Sequence, residues 1–154
     1  MKIFTAAQIH ELDNYTITHE PIKSIDLMER AAKTITRAIM DEWTDRTPMV
    51  IFAGPGNNGG DSLAVARLLA EENYKVSVYL FNIHNKLSDD CAANKQRLID
   101  SKRVGHFTEV TLNFDPPELT EDMVVIDGLF GSGPNKPLIG RFASLVKYLS
   151  LIHN

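Results

Sequence analysis

The chain lacks most features that would commit it to a specialised environment. It has one cysteine, Cys91, which excludes an internal disulfide framework and fits a reducing compartment. No apolar run approaches the roughly 20 residues that cross a bilayer, so no membrane partner is expected. The opening "MKIFTAAQIHELDNY" turns polar and acidic too early for a secretory leader and has no arginine to suit organelle transit. Positive charge is not in excess: a formal net charge of -4 gives no electrostatic reason for a nucleic-acid partner. Internal repeats, low-complexity tracts and interdomain linkers are also missing. The expectation is a cytoplasmic single domain over residues 1–154, with ordinary contents of 44% hydrophobic and 23% charged residues.

What is present alternates. Thr5 with Gln8 reads as a capping box opening a helix through "AAQIHELDNYTITH". After Pro21, Ser24 can cap a second helix, "IDLMERAAKTITRAIMDEW", whose Ile25, Met28, Ala31, Ala32, Ile35, Ile39 and Met40 recur at helical spacing. That stripe, methionines included, reads as core rather than as a cofactor surface. The helical segment 1–47 then gives way to a core over 48–154. "MVIFA" and "MVVID" are short, continuously apolar runs of the kind that make fully buried strands. "KVSVYLF" and "HFTEVTL" read as further strands, and the helix "SLAVARLLAEE", the Ser88-capped helix "DDCAANKQRLIDS" and a terminal "RFASLVKYLSLI" separate them. Such alternation predicts a three-layer αβα domain with a mostly parallel sheet, preceded by two helices. Cys91 sits among acidic neighbours in "LSDDCAANK", which do not lower a thiol's pKa, so an inert cysteine is expected.

Two glycine-rich segments follow the two buried strands: "GPGNNGGDSL" after "MVIFA" and "GLFGSGPNKPLIG" after "MVVID". In open α/β sheets ligands sit at the carboxyl ends of strands, where these loops lie. Gly54, Gly56 and Gly59 match G-x-G-x-x-G, a pattern that lets backbone approach a pyrophosphate, although the match alone is weak. The acid that grips a ribose about 20 residues further on in dinucleotide dehydrogenases is absent, since "YLFNIHN" offers only Asn82 and Asn85. No Lys-Ser or Lys-Thr pair follows the glycines, so a P-loop is excluded as well. Asn57 and Asn58 can hold ribose hydroxyls, an amide or a hard monovalent cation. Asp61, at the mouth of the helix, either caps it or serves the site. Asp127 closes a buried strand and is expected to emerge near the first loop. Gly128, Gly131 and Gly133 permit close backbone approach, and Lys136 is either a counter-charge for a phosphate or a solvated loop lysine.

"AGPGNNGGDSLAVARLL", followed at a distance by "VVIDGLFGSGPNKPLIG" and preceded by "LMERAA", resembles the YjeF N-terminal domain family of NAD(P)H-hydrate epimerases. The resemblance covers essentially the whole chain. Two departures stand out: Ser62 where the family usually has glycine, and Gly128 where alanine is common. The resemblance implies a Rossmann-like fold and interconversion of the R and S forms of NADHX and NADPHX, hydrated at C6 of the nicotinamide ring. It implies substrate contacts by Asn57, Asn58, Gly59, Gly60 and Asp61, and by Gly131, Ser132, Gly133, Pro134, Asn135, Lys136 and Pro137. It also implies a potassium ion held by Asn58 and Asp127. Asp61 and Asp127 are the carboxylates expected in the cleft for acid–base work. Family members often dimerise, and bacterial ones often continue into an ADP- or ATP-dependent dehydratase; others are non-catalytic binding or scaffold proteins, the alternative reading here. The family carries a further strand with an Asp-x-Pro-Ser-Gly segment that helps bind substrate and potassium. This chain ends at "YLSLIHN" before that point, so an incomplete domain with little activity of its own is expected.

Overall fold

The computed structural model describes residues 2–5, as backbone only, and 23–129. The elements are β1 (Lys2–Thr5), α1 (Ser24–Glu42), β2 (Met49–Ala53), α2 (Asn57–Glu71), β3 (Val76–Phe81), α3 (Asp89–Ser101), β4 (His106–Val110) and β5 (Val124–Gly128). Among the described residues the strands form one sheet in the order β1-β5-β2-β3-β4, and every pairing is parallel. The expected α/β class with a mostly parallel sheet is therefore observed.

The apolar strands are continuous because both faces of the sheet are covered. Met49, Ile51 and Ala53 of β2 face a cluster built with Ile35, Ile39, Leu63 and Leu69 from the helices, joined by Val78, Leu80, Val124 and Ile126. The alternate residues Val50 and Phe52 join Phe81, Val110 and Val125 on the other face, under Tyr79, Phe114 and Met123. There Phe114 lies edge-on to Phe52 at 6.4 Å and to Phe81 at 4.9 Å between ring centroids. Each fully buried large side chain of this kind contributes about 1.5–3 kcal/mol relative to exposure. Arg67 of α2 reaches Glu29 of α1 (Nη2 to Oε2 2.8 Å) and Glu71 of its own helix, tying the two helices together.

Three local expectations need correction. Ser24 is the first helical residue, not the cap; Lys23 holds the extended N-cap position and makes no side-chain cap bond. Helix α2 starts at Asn57, so most of the expected loop, "NNGGD", is helix and the turn itself is only Gly54–Gly56. Lys2–Thr5 form a strand that the sequence pattern does not reveal, in register with Val124–Asp127. A four-residue run leaves no readable period, and its partner lies far away in sequence. Ser88, by contrast, caps α3 as expected, accepting from the Cys91 N–H at 3.2 Å. The helix expected over "AAQIHELDNYTITH", the Gly131–Pro137 loop and the terminal helix lie outside the described residues.

Candidate functional site at the β2–β5 switch

From β2 the chain winds through β3 to β4 on one side, and β5 pairs with β2 on the other. The order reverses between β2 and β5, and the crevice at the carboxyl ends of such a pair is where open α/β sheets take ligands. Both glycine-rich segments leave this edge, because Ala53 and Gly128 are register partners in parallel strands.

The glycine turn is held from several sides. The Gly54 N–H donates to the Gly128 carbonyl at 3.0 Å, and the Ser88 N–H donates to the Pro55 carbonyl at 2.9 Å. The Cys91 thiol lies against the Gly54 carbonyl at 3.7 Å. These contacts preorganise the turn.

Crowding, not unusual backbone angles, explains three glycines of the turn and the helix that follows it. A Cβ on Gly59 would lie 1.6 Å from the Gly54 carbonyl oxygen, and one on Gly54 would lie 2.3 Å from the Leu129 carbonyl oxygen. Gly60 packs on Met28 of the "LMERAA" segment, where a Cβ would meet its sulfur at 3.0 Å and Cys91 Cα at 3.2 Å. Gly56 differs. It is the N-cap of α2, exposed, and a Cβ there would meet nothing within 4 Å. Its missing side chain keeps the end of a helix open, as close approach of a ligand to the helix N-terminus requires.

The predicted site residues fall into distinct environments. Asn57 is exposed and Asn58 half-buried in the first turn of α2, while Gly59 and Gly60 are buried. Asp61 is not at the mouth of the helix but one turn inside it, 1% exposed. Asn58 is brought to β5: its carbonyl oxygen would stand 3.1 Å from a Cβ on Gly128, next to Asp127. Asp127 is half-buried beside Phe52 in the register, and its Oδ1 accepts from the Leu129 N–H at 3.1 Å. Burial pushes its carboxyl above the ordinary value, and the Leu129 bond only partly opposes that. Gly131 through Pro137 lie outside the described residues.

Asn82, at the position where a dehydrogenase carries its ribose acid, is committed elsewhere. Its Nδ2 donates to Glu109 at 2.9 Å and its Oδ1 accepts from the Lys86 N–H at 2.8 Å. Burial pushes the Glu109 carboxyl up, but Asn82 and the paired Lys95 outweigh it and hold its pKa below the ordinary value. This group braces the β3–β4 end and offers no free ribose grip.

Sequence reasoning missed that Cys91 packs against the glycine turn and that Ser62 bonds back to Asn58 within α2. The Cys91 thiol is buried, and burial pushes its pKa up to about 12. Thiolate reagents are therefore expected to label it only in denaturant; labelling at the free-thiol rate under native conditions would contradict its packed position.

The fold and this edge define an open parallel α/β domain with a glycine turn at its topological switch. The chain matches the family described as YjeF-related protein N-terminus over residues 24–151, and it belongs to that family. It is 35% identical over 146 residues to an NAD(P)H-hydrate epimerase from Rhodobacter capsulatus, covering 90% of this chain and 66% of the relative. A second NAD(P)H-hydrate epimerase, from Limosilactobacillus fermentum, is 31% identical over 149 residues, covering 97% of this chain and 68% of the relative. A bifunctional NAD(P)H-hydrate repair enzyme from Thermofilum pendens is 30% identical, covering 97% of this chain and 29% of that protein. The chain thus spans about two thirds of the length of the epimerases it matches. A yeast protein of known crystal structure superposes with a TM-score of 0.70 at 22% identity, covering 100% of this chain and 67% of its own, a likeness of fold.

Proposed function

We propose that the chain carries the nucleotide-binding core of an NAD(P)H-hydrate epimerase, acting on the R and S forms of NADHX and NADPHX. The observation that carries this reading is the open glycine turn at the β2–β5 switch, in a chain whose relatives bear that name. The hydrated carbon, C6, bears a hydroxyl beside the ring nitrogen. Protonation of that hydroxyl lets it leave as water while the nitrogen lone pair forms a C=N bond. Addition of water to the opposite face, with loss of one proton, inverts the centre and restores every atom.

Of the two candidate carboxylates, Asp127 suits this proton traffic better. It is half-buried at the carboxyl edge and its raised pKa favours holding a proton, whereas Asp61 is 1% exposed and suits a supporting role within α2. Asn57, Asn58, Gly59 and Gly60, with the Gly131–Pro137 segment, would hold the nucleotide.

A potassium ion fits the same corner. The donors proposed for it are oxygens of Asn58, in the first turn of α2, and of Asp127, at the end of β5. An all-oxygen set suits a hard cation, and a desolvated carboxylate gains most from one. When bound, potassium would supply positive charge at the cleft. The proposal extends to a cytoplasmic, self-associating protein acting alongside a dehydratase activity.

An isomer-resolved assay tests it. A hybrid joining residues 1–154 to the remaining third of the Rhodobacter relative is supplied with pure R isomer. Appearance of the S isomer well above the uncatalysed rate is expected, and a rate equal to buffer would reject the reading.

A further inference from the structure

Ser62 lies one turn beyond Asn58 in α2 and is fully buried. Its hydroxyl donates to the Asn58 main-chain carbonyl at 3.0 Å. The same side chain fills the space in which a residue at 128 would begin. A Cβ on Gly128 would stand 1.8 Å from Ser62 Oγ and 2.7 Å from Ser62 Cβ. Rotating the hydroxyl away would relieve the first contact but not the second, since the Cβ is fixed to the helix. Gly128 is a strand residue in register with Ala53, so the room that Ser62 needs, and not a special backbone angle, accounts for the glycine.

We infer that Ser62 is a positioning residue of this site and that Gly128 is its steric counterpart. Ser62 fixes the Asn58 carbonyl against the end of β5 at Gly128, and Gly128 supplies the space for it to do so. The pair sets how closely the first turn of α2 approaches β5, hence the spacing of the groups proposed to meet nucleotide and cation. Its bearing on the cation rests on the function proposed above; the pairing itself does not.

The test is a double-mutant cycle on the 154-residue chain, read by urea unfolding. Ser62→Gly alone should destabilise, because it places a glycine in a helix and removes a hydrogen bond. Gly128→Ala alone should lower the midpoint strongly or prevent folding. In the Gly128→Ala background the sign should reverse, with Ser62→Gly raising the midpoint or restoring a folded chain. Additive losses, or a double variant that fails to fold while Ser62→Gly folds, would overturn the pairing.

The positioning role has its own readout, the amide nitrogen of Gly59, which is bonded to the Asn58 carbonyl carbon. Ser62→Ala should move that resonance while those of β3 and β4 stay in place. An unmoved Gly59 signal would overturn the role. A potassium titration of the same samples, followed at Gly59 and Gly128, separates the two proposals. No response in the unmutated chain would count against the cation alone, whereas Ser62 stands or falls by the cycle and the Gly59 shift.

Discussion

Replacing Gly59 by alanine is expected to destabilise the protein by about 3 kcal/mol or more, at the severe end of overpacking substitutions. The added Cβ would lie 1.6 Å from the Gly54 carbonyl oxygen and 2.6 Å from its carbon, both backbone atoms. Relief requires moving the end of β2 or the start of α2, yet Gly54 is tied to Gly128 and lies against Cys91. The helix propensity gained by alanine, about 1 kcal/mol, does not offset that. Gly56→Ala is the informative control. Its φ of -91° is open to any residue and its Cβ would meet nothing within 4 Å, so stability should change by no more than about 0.5 kcal/mol. Nucleotide affinity should nevertheless fall, because the new methyl occupies the approach to the helix end. Urea unfolding of both variants checks the contrast, and equal stabilities would contradict the assigned crowding.

The second large effect concerns Asp127, and it has opposite signs for stability and for turnover. Burial raises its folded pKa, so its contribution to stability is fully present below the unfolded value of about 3.9 and is lost as pH rises through the folded pKa. Near neutral pH the cation-free protein therefore carries the cost of a desolvated carboxylate. Asp127→Asn removes the charge and keeps an acceptor for the Leu129 N–H. In potassium-free buffer the variant should unfold at higher urea than the parent at about pH 7, and the gap should close below about pH 3.9. Turnover of the full-length hybrid should fall by roughly two to four orders of magnitude, the usual worth of a positioned acid or base. If Asp127 also holds potassium, salt-dependent stabilisation disappears with it; if it only moves protons, that stabilisation survives. A variant less stable at neutral pH and fully active would contradict both roles.

Strands β2 and β5 are readable as uninterrupted apolar runs because both faces of the sheet are covered, so no polar alternation dilutes the signal. Ser88 is readable for a local reason, an N-cap contact three residues away. Strand β1 is not, since its four residues gain strandhood only from pairing with Val124–Asp127. The start of α2 is hidden because glycine is a poor helix former, and local propensity gives no hint that Gly59 and Gly60 are required by neighbours packed against them. The positions of Asn58 and Asp127 near one edge follow from strand order; the burial of Asp61 within α2 does not. Ser62 and Gly128 show the boundary most clearly. Each is visible in the sequence as a separate departure from the family's pattern, while their contact, between residues far apart in the chain, is a property of the fold alone.

On this structure the nicotinamide nucleotide is expected at the β2–β5 switch. A shallow cavity of about 200 Å³ lies elsewhere, between α1 and α2, lined by Lys33, Arg37, Glu71 and Glu72 among others. Amide resonances distinguish the two directly when the isotopically labelled chain is titrated with NADPHX. The largest shifts are expected at Gly56–Gly60 and Gly128–Leu129, saturating together, with Lys33, Arg37 and Glu71 unmoved. Shifts confined to the α1–α2 cavity, with the glycine turn silent, would contradict that placement.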